Sequence, residues 1–122
     1  MASHSKLIEY ILLIINHFYP KNEEFIHSCL FIINKQDKEL MINDWYSNGY
    51  GILSETVSNA IKSLCEKNLV TYSGRGYVTM VKDIQFTTEM KQRVNELIHD
   101  GNFNQNKIID KAITIYNSSF IK

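Results

Sequence analysis

The sequence predicts a mainly α-helical chain with one small β-hairpin and a C-terminal helical segment. Three observations carry that prediction. Apolar residues recur at helical spacing in five separate stretches. One pair of β-prone runs flanks the glycine-rich turn Ser73-Gly74-Arg75-Gly76. A single proline and five glycines leave few chain breakers, which disfavours a many-stranded sandwich.

Residues 5–18 form the first helical pattern, with Leu7, Ile8, Ile11, Leu12 and Ile15 at helical spacing and Ser5 as its cap. The stretch is apolar on most sides, which places it at the centre of the core or of a dimer. Tyr19-Pro20-Lys21-Asn22 ends it. Residues 22–34 are the second pattern, capped by Asn22, with Glu23 and Glu24 at the positive end of the helix dipole. Phe25, Ile26, Cys29, Leu30 and Ile33 share its inward face. Residues 36–38 read as loop, and residues 39–46 fit either a short strand or an irregular segment. Asn48-Gly49-Tyr50-Gly51 is a turn.

Ser54 starts the clearest helix, residues 54–67, with Val57, Ala60, Ile61 and Leu64 along one face and Asn68 suited to a left-handed cap. The hairpin follows at once, as residues 69–72 and 77–80. Beyond it come a short strand over residues 83–87 and two helical patterns, residues 88–99 and 104–118. Met90, Val94, Leu97 and Ile98 face inward on the first; Ile108, Ile109, Ala112, Ile113 and Tyr116 do so on the second. The organisation expected is one domain over residues 1–81 and a dimerisation segment over residues 82–122.

With 122 residues, 44% of them apolar, the chain can bury a core. Its net charge is zero, but residues 53–82 carry Lys62, Lys67, Arg75 and Lys82 against only Glu55 and Glu66. Cys29 and Cys65 lie within apolar patterns and read as small buried hydrophobes; two thiols build no disulfide framework, so a reducing cytoplasm is the expected setting. Residues 7–15 are too short to span a bilayer, and Glu9 interrupts them. No cleavage site of small residues follows, so neither a membrane partner nor a signal peptide is expected.

A helix that enters the major groove needs short donors and acceptors on its outward face, and cations for phosphate. Helix 54–67 offers Ser54, Thr56, Ser58, Asn59, Lys62 and Ser63. Asn59 suits bidentate contact with adenine; Lys62 suits guanine or a phosphate. Arg75, between two glycines at the hairpin tip, suits a phosphate or the minor groove, with Tyr72 and Tyr77 beside it as phosphate donors.

Residues 6–80 resemble a prokaryotic winged helix-turn-helix family. The resemblance lies in Tyr50-Gly51-Ile52-Leu53-Ser54 and in the run from Ala60 through Leu64 to Leu69-Val70 before the hairpin. Ile52 and Leu53 stand where that family carries proline and an aromatic. The last forty residues are similar to ribbon-helix-helix repressors through residues 84–90, Val94, Leu97-Ile98, Gly101 and residues 108–113. That likeness implies an obligate dimer, with Asp83, Gln85 and Thr87 on the strand face towards DNA and the helix start near Asn104 and Lys107 on a phosphate. The competing reading makes residues 86–89 the end of the hairpin, followed by two ordinary dimerisation helices. Both place dimerisation in residues 82–122.

No phosphate loop, nucleophile elbow or zinc-binding helix is present, so neither a catalytic site nor a cofactor is expected. His27 and Cys29 do not share a helix face, and no metal site is expected. Glu23-Glu24 reads as a helix-dipole pair, and Trp45, Tyr46 and Tyr50 as a packing patch or a small-ligand pocket. The function expected is a sequence-specific, homodimeric transcriptional regulator on double-stranded DNA; a small-molecule effector is left unassigned. The alternative is a protein-interaction module, an antitoxin or phage-type inhibitor on the same scaffold.

Overall fold

Two apolar helices make the centre of the structure. A computed structural model of the chain describes residues 2–18, 22–81, 85–97 and 105–118. Helix α1 spans Ala2–Phe18 and helix α2 spans Glu23–Gln36. Asn22 caps α2 by accepting from the Phe25 amide, and Glu23 and Glu24 occupy its first turn. Every residue from 25 to 33 is buried, so α2 is covered on all faces rather than along one stripe. Helix α1 packs on one flank. Helix α5, Gln105–Ser118, packs on another, where Tyr116 meets Phe31 at 6.0 Å between ring centres.

Helix α1 begins at Ala2, so Ser5 lies inside it and not at its cap. The first four amides of a helix have no partner within it, so a serine there costs little. The linker at residues 19–21 lies outside the described residues.

A 3-10 turn, Lys38–Leu40, leads from α2 into a hairpin that the sequence pattern did not reveal. Strands β1, Trp45–Ser47, and β2, Ile52–Ser54, pair antiparallel with Tyr46 opposite Leu53. Asn48 closes the turn by accepting from the amides of Tyr50 and Gly51, and Gly49 sits at φ +92°. Three-residue strands are too short to show a period of two. Trp45 packs on Phe31 at 5.1 Å, but Tyr46 and Tyr50 are exposed. The expected aromatic packing patch therefore does not form: Tyr46 takes the outer face of its strand, and Tyr50 sits in the turn.

Helix α3 follows directly as Glu55–Glu66, and strands β3, Val70–Tyr72, and β4, Tyr77–Thr79, form the expected hairpin with Tyr72 opposite Tyr77. Helix α4 spans Thr88–Asn95, shorter than the pattern suggested. Of the strand expected over residues 83–87, residues 83–84 lie outside the described residues; residues 85–87 are not a strand, and the Thr87 hydroxyl caps α4 by accepting from the Met90 amide. Ile98 and Asn104 also lie outside the described residues.

Met90 and Val94 of α4 and Ile108 and Ala112 of α5 join the same hydrophobic cluster as α1, α2 and α3. The inward faces expected of these two helices are thus turned, in good part, onto the rest of the chain. Asp37 ties this arrangement together. It ends α2 and caps the 3-10 turn, accepting from the Glu39 amide. Its buried carboxylate also accepts from Tyr10 Oη at 2.8 Å, Lys6 Nζ at 2.9 Å and Arg93 at 2.9 Å, so one side chain joins α1, α2 and α4. Burial would raise this carboxyl, but the hydrogen bonds from Lys6, Tyr10 and the Glu39 amide hold it below the usual carboxylate range. Its contribution to stability is therefore present above the unfolded carboxylate range and is lost as the pH falls through the depressed folded value.

Asp37→Ala leaves two cations and a phenol without their shared acceptor. The expected cost is roughly 2–3 kcal/mol, measured as a lower urea midpoint at unchanged slope. An unchanged midpoint would show that the hub contributes nothing.

Candidate nucleic-acid interface

The start of α3 is held by side chains from three other segments. Ser54 is fully buried and extended, with φ −141° and ψ 131°, and its hydroxyl accepts from the Val57 amide at 3.2 Å. The same hydroxyl donates to Asp44, whose other oxygen accepts from the Thr56 amide at 2.9 Å and the Thr56 hydroxyl at 2.8 Å. Burial would raise the Asp44 carboxyl; the bonds from Ser54 and Thr56 hold it low. Asn34 places Asp44 by clasping the Ile42 backbone, donating to its carbonyl at 3.0 Å. From α2, His27 accepts the Ser54 amide at Nδ1, 3.0 Å away.

Beyond that cap, Val57, Ile61 and Leu64 are buried, and α3 packs on α1. The outer ridge reads Glu55, Asn59, Lys62, Glu66, all exposed. Among the residues expected to face DNA, Asn59 and Lys62 are therefore free to do so. Ser54 is not: its hydroxyl is used for the cap and for Asp44. Thr56 is half-buried and bound to Asp44, and Ser58 is half-buried with its hydroxyl 3.4 Å from His27 Nε2. Ser63 is half-buried and, with Asn59 and Thr56, lines a groove of about 310 Å³ whose other wall is Leu7 and Ile8 of α1. Spacing alone put these residues on one polar face. It did not reveal Asp44, Asn34 and His27, whose partners are distant in sequence.

Lys67 and Asn68 turn the chain from α3 into β3. Asn68 adopts φ 61°, as expected of a left-handed cap, and the Leu69 amide donates to the Leu64 carbonyl at 3.0 Å. The hairpin closes through Ser73, whose amide donates to the Gly76 carbonyl at 2.9 Å, with Gly74 at φ +93°. Arg75 is exposed at the tip. Neither it nor Lys62 forms an ion pair among the described residues. Tyr72 and Tyr77 pack edge to face at 5.2 Å. Tyr72 is exposed. Tyr77 is half-buried, and burial together with the nearby Glu23 pushes its phenol up.

The second group of expected contacts lies on other elements. Gln85 is exposed ahead of α4, Thr87 caps α4, and Lys107 is exposed in the first turn of α5. Helix α4 packs on α1, and α5 on α2 and β2. Cys29 is buried as expected, whereas Cys65 is half-buried. Among the described residues, no cluster of His, Cys, Asp and Glu could hold a metal ion, and no helix is long and apolar enough to cross a membrane.

Ser54→Ala removes one cap acceptor and one partner of Asp44, at an expected cost of about 1–2 kcal/mol. Chemical denaturation reads this directly, and a midpoint equal to that of the wild type would contradict the capping role.

The comparisons with known proteins leave the chain on its own: no family model, no curated protein and no solved structure matches it.

Proposed function

We propose that the chain is a sequence-specific DNA-binding regulator acting as a homodimer, with α3 as the groove helix of a winged helix-turn-helix and the β3–β4 hairpin as its wing. One observation carries this reading. Asn59 and Lys62 stand exposed on a firmly capped helix, and that helix runs directly into a hairpin with an exposed arginine at its tip. An amide and an ammonium on an outward ridge are groups that read base edges and phosphate, and a glycine-flanked arginine suits a phosphate or the minor groove. Pairing two copies would double a short reading surface and match a palindromic operator.

A second reading rests on a different observation. Tyr46, Tyr50, Tyr72 and Met80 are exposed, and Glu55 and Glu66 flank Asn59 and Lys62 on the α3 ridge. Exposed tyrosines and a ridge of mixed charge also suit a protein partner, as in an antitoxin or phage-type inhibitor.

The discriminating experiment selects duplexes from a random pool at low salt and measures their affinity by fluorescence anisotropy. Lys62→Ala combined with Arg75→Ala should weaken binding at least tenfold and flatten the logarithmic salt dependence by about 2. Wild-type affinity in the double variant would remove α3 and the wing as the reading surface. Absence of any duplex binding at low salt would favour the protein-partner reading.

A further inference from the structure

His27 is fully buried within the apolar stretch of α2, and its geometry leaves its ring little freedom. Nδ1 lies 3.0 Å from the Ser54 amide nitrogen. A backbone N–H can only donate, so Nδ1 is the acceptor and carries no proton. The ring hydrogen therefore sits on Nε2, which faces Ser58 Oγ at 3.4 Å and Glu23 Oε1 at 3.5 Å. The ring thus touches α3 at its cap and again one turn later. It is the only described side chain that spans from the buried centre of α2 to the Ser54 amide.

Protonation would place a second N–H at Nδ1, pointing at the N–H of Ser54. Donor would oppose donor, and the contact could not persist. The positive end of the α3 dipole lies beside it and also disfavours a cation. Opposing this are the charged groups that face the ring: Glu23 and Glu24 from its own helix, and Asp44 from the loop ahead of β1. From α3 and the end of β2 it meets the Ser58 hydroxyl and the Ser54 amide. Burial outweighs the three carboxylates and holds the imidazole below its ordinary value, so the ring is neutral at neutral pH.

We propose that His27 is the positioning residue of α3: when neutral it locks the Ser54 amide and fixes where the helix begins, and when protonated it releases that end and weakens the α3–hairpin surface for duplex DNA. The positioning role stands on geometry alone; the effect on DNA rests on the function proposed above. The sign follows from linkage. A folded-state imidazole held low contributes stability that is fully present above the unfolded value of 6.5 and is lost as the pH falls through the folded one.

The test uses the full chain and amide exchange followed by NMR from pH 7.5 to 5, corrected for intrinsic rates. His27→Asn is the conservative variant, since its amide oxygen can replace Nδ1 as acceptor and does not titrate. In the wild type, protection of the Ser54 and Val57 amides should fall below pH 6.5, by up to about tenfold per pH unit, while the amides of α1 and the rest of α2 hold. In His27→Asn the same two amides should stay protected throughout. Equal pH dependence in both proteins, or loss of all amides together, would overturn the positioning role. Should His27→Asn fail to fold, the nitrogen shifts of the wild-type ring decide: a proton on Nδ1 at pH 7.5 is incompatible with the proposal. The duplex selected above supplies the second arm. Its affinity for the wild type should drop several-fold more between pH 7.5 and 5.5 than for His27→Asn, and equal drops would overturn the release step. If the amides respond as expected but no duplex binds at any pH, the positioning role stands and DNA reading is what fails.

Discussion

The burial of α2 on every face is the constraint from which the rest of the structure follows. A helix closed off from water by α1, β2 and α5 can carry polar groups only if each has a partner. Two such groups lie inside it. Ser28 satisfies its hydroxyl locally, donating to the Glu24 carbonyl at 2.8 Å. His27 turns Nε2 towards Glu23 and Ser58, but its Nδ1 finds no donor on its own helix and accepts from the Ser54 amide instead. The packing that builds the core therefore also specifies where α3 starts. Once that residue is placed, Val57, Ile61 and Leu64 turn towards the core, and Asn59 and Lys62 turn away from it. The hairpin is then set in turn, since the Met80 amide donates to the Leu69 carbonyl at 2.8 Å, just past the end of α3.

Asp37 does for the C-terminal segment what His27 does for α3. Both are buried, and both join elements far apart in sequence. Through Arg93, Asp37 draws α4 onto the N-terminal helices, and Met90 and Val94 complete the apolar side of that contact. Helix α5 commits Ile108 and Ala112 to the shared cluster in the same way. Met90, Val94, Ile108 and Ala112 thus belong to the one shared core. A dimer built on α5 has available only what α2 leaves uncovered, chiefly the half-buried flank around Ile109 and Ile113.

Where structure is decided locally, the sequence showed it. The spacing of Val57, Ile61 and Leu64, the Ser54 cap, the left-handed Asn68 and the glycine-rich turn around Arg75 all depend on residues within a few positions of one another. The β1–β2 hairpin escaped because its strands are three residues long and one of them runs straight into α3. The full burial of α2 escaped because its second covering comes from α5, some eighty residues later. Separations of 56 and 12 residues likewise hid the roles of Asp37 and Asp44, which appear only when folding brings Arg93 and Thr56 to them. Thr56 and Ser58 were legible as outward polar residues of α3; that their hydroxyls are turned to Asp44 and His27 was not.

The charges on the α3 ridge bear on which part of the helix can serve a partner. Glu55 lies at the positive end of the helix dipole, where a carboxylate stabilises the helix itself. Glu66 lies in the last turn, where a carboxylate is unfavourable and which holds no basic residue of its own. Folding accounts for the first acid and not for the second. A carboxylate there would also repel a phosphate backbone running past the end of α3. If α3 enters a groove, contact is therefore expected to concentrate on the half of the helix nearer its start, at Asn59, as in groove helices that read bases with their N-terminal residues, with Lys62 just past the midpoint. That is also the half held by Ser54, Asp44 and His27. The side chains that cap the start of α3 and the acid at its far end thus both favour the first half of the ridge, where Asn59 stands.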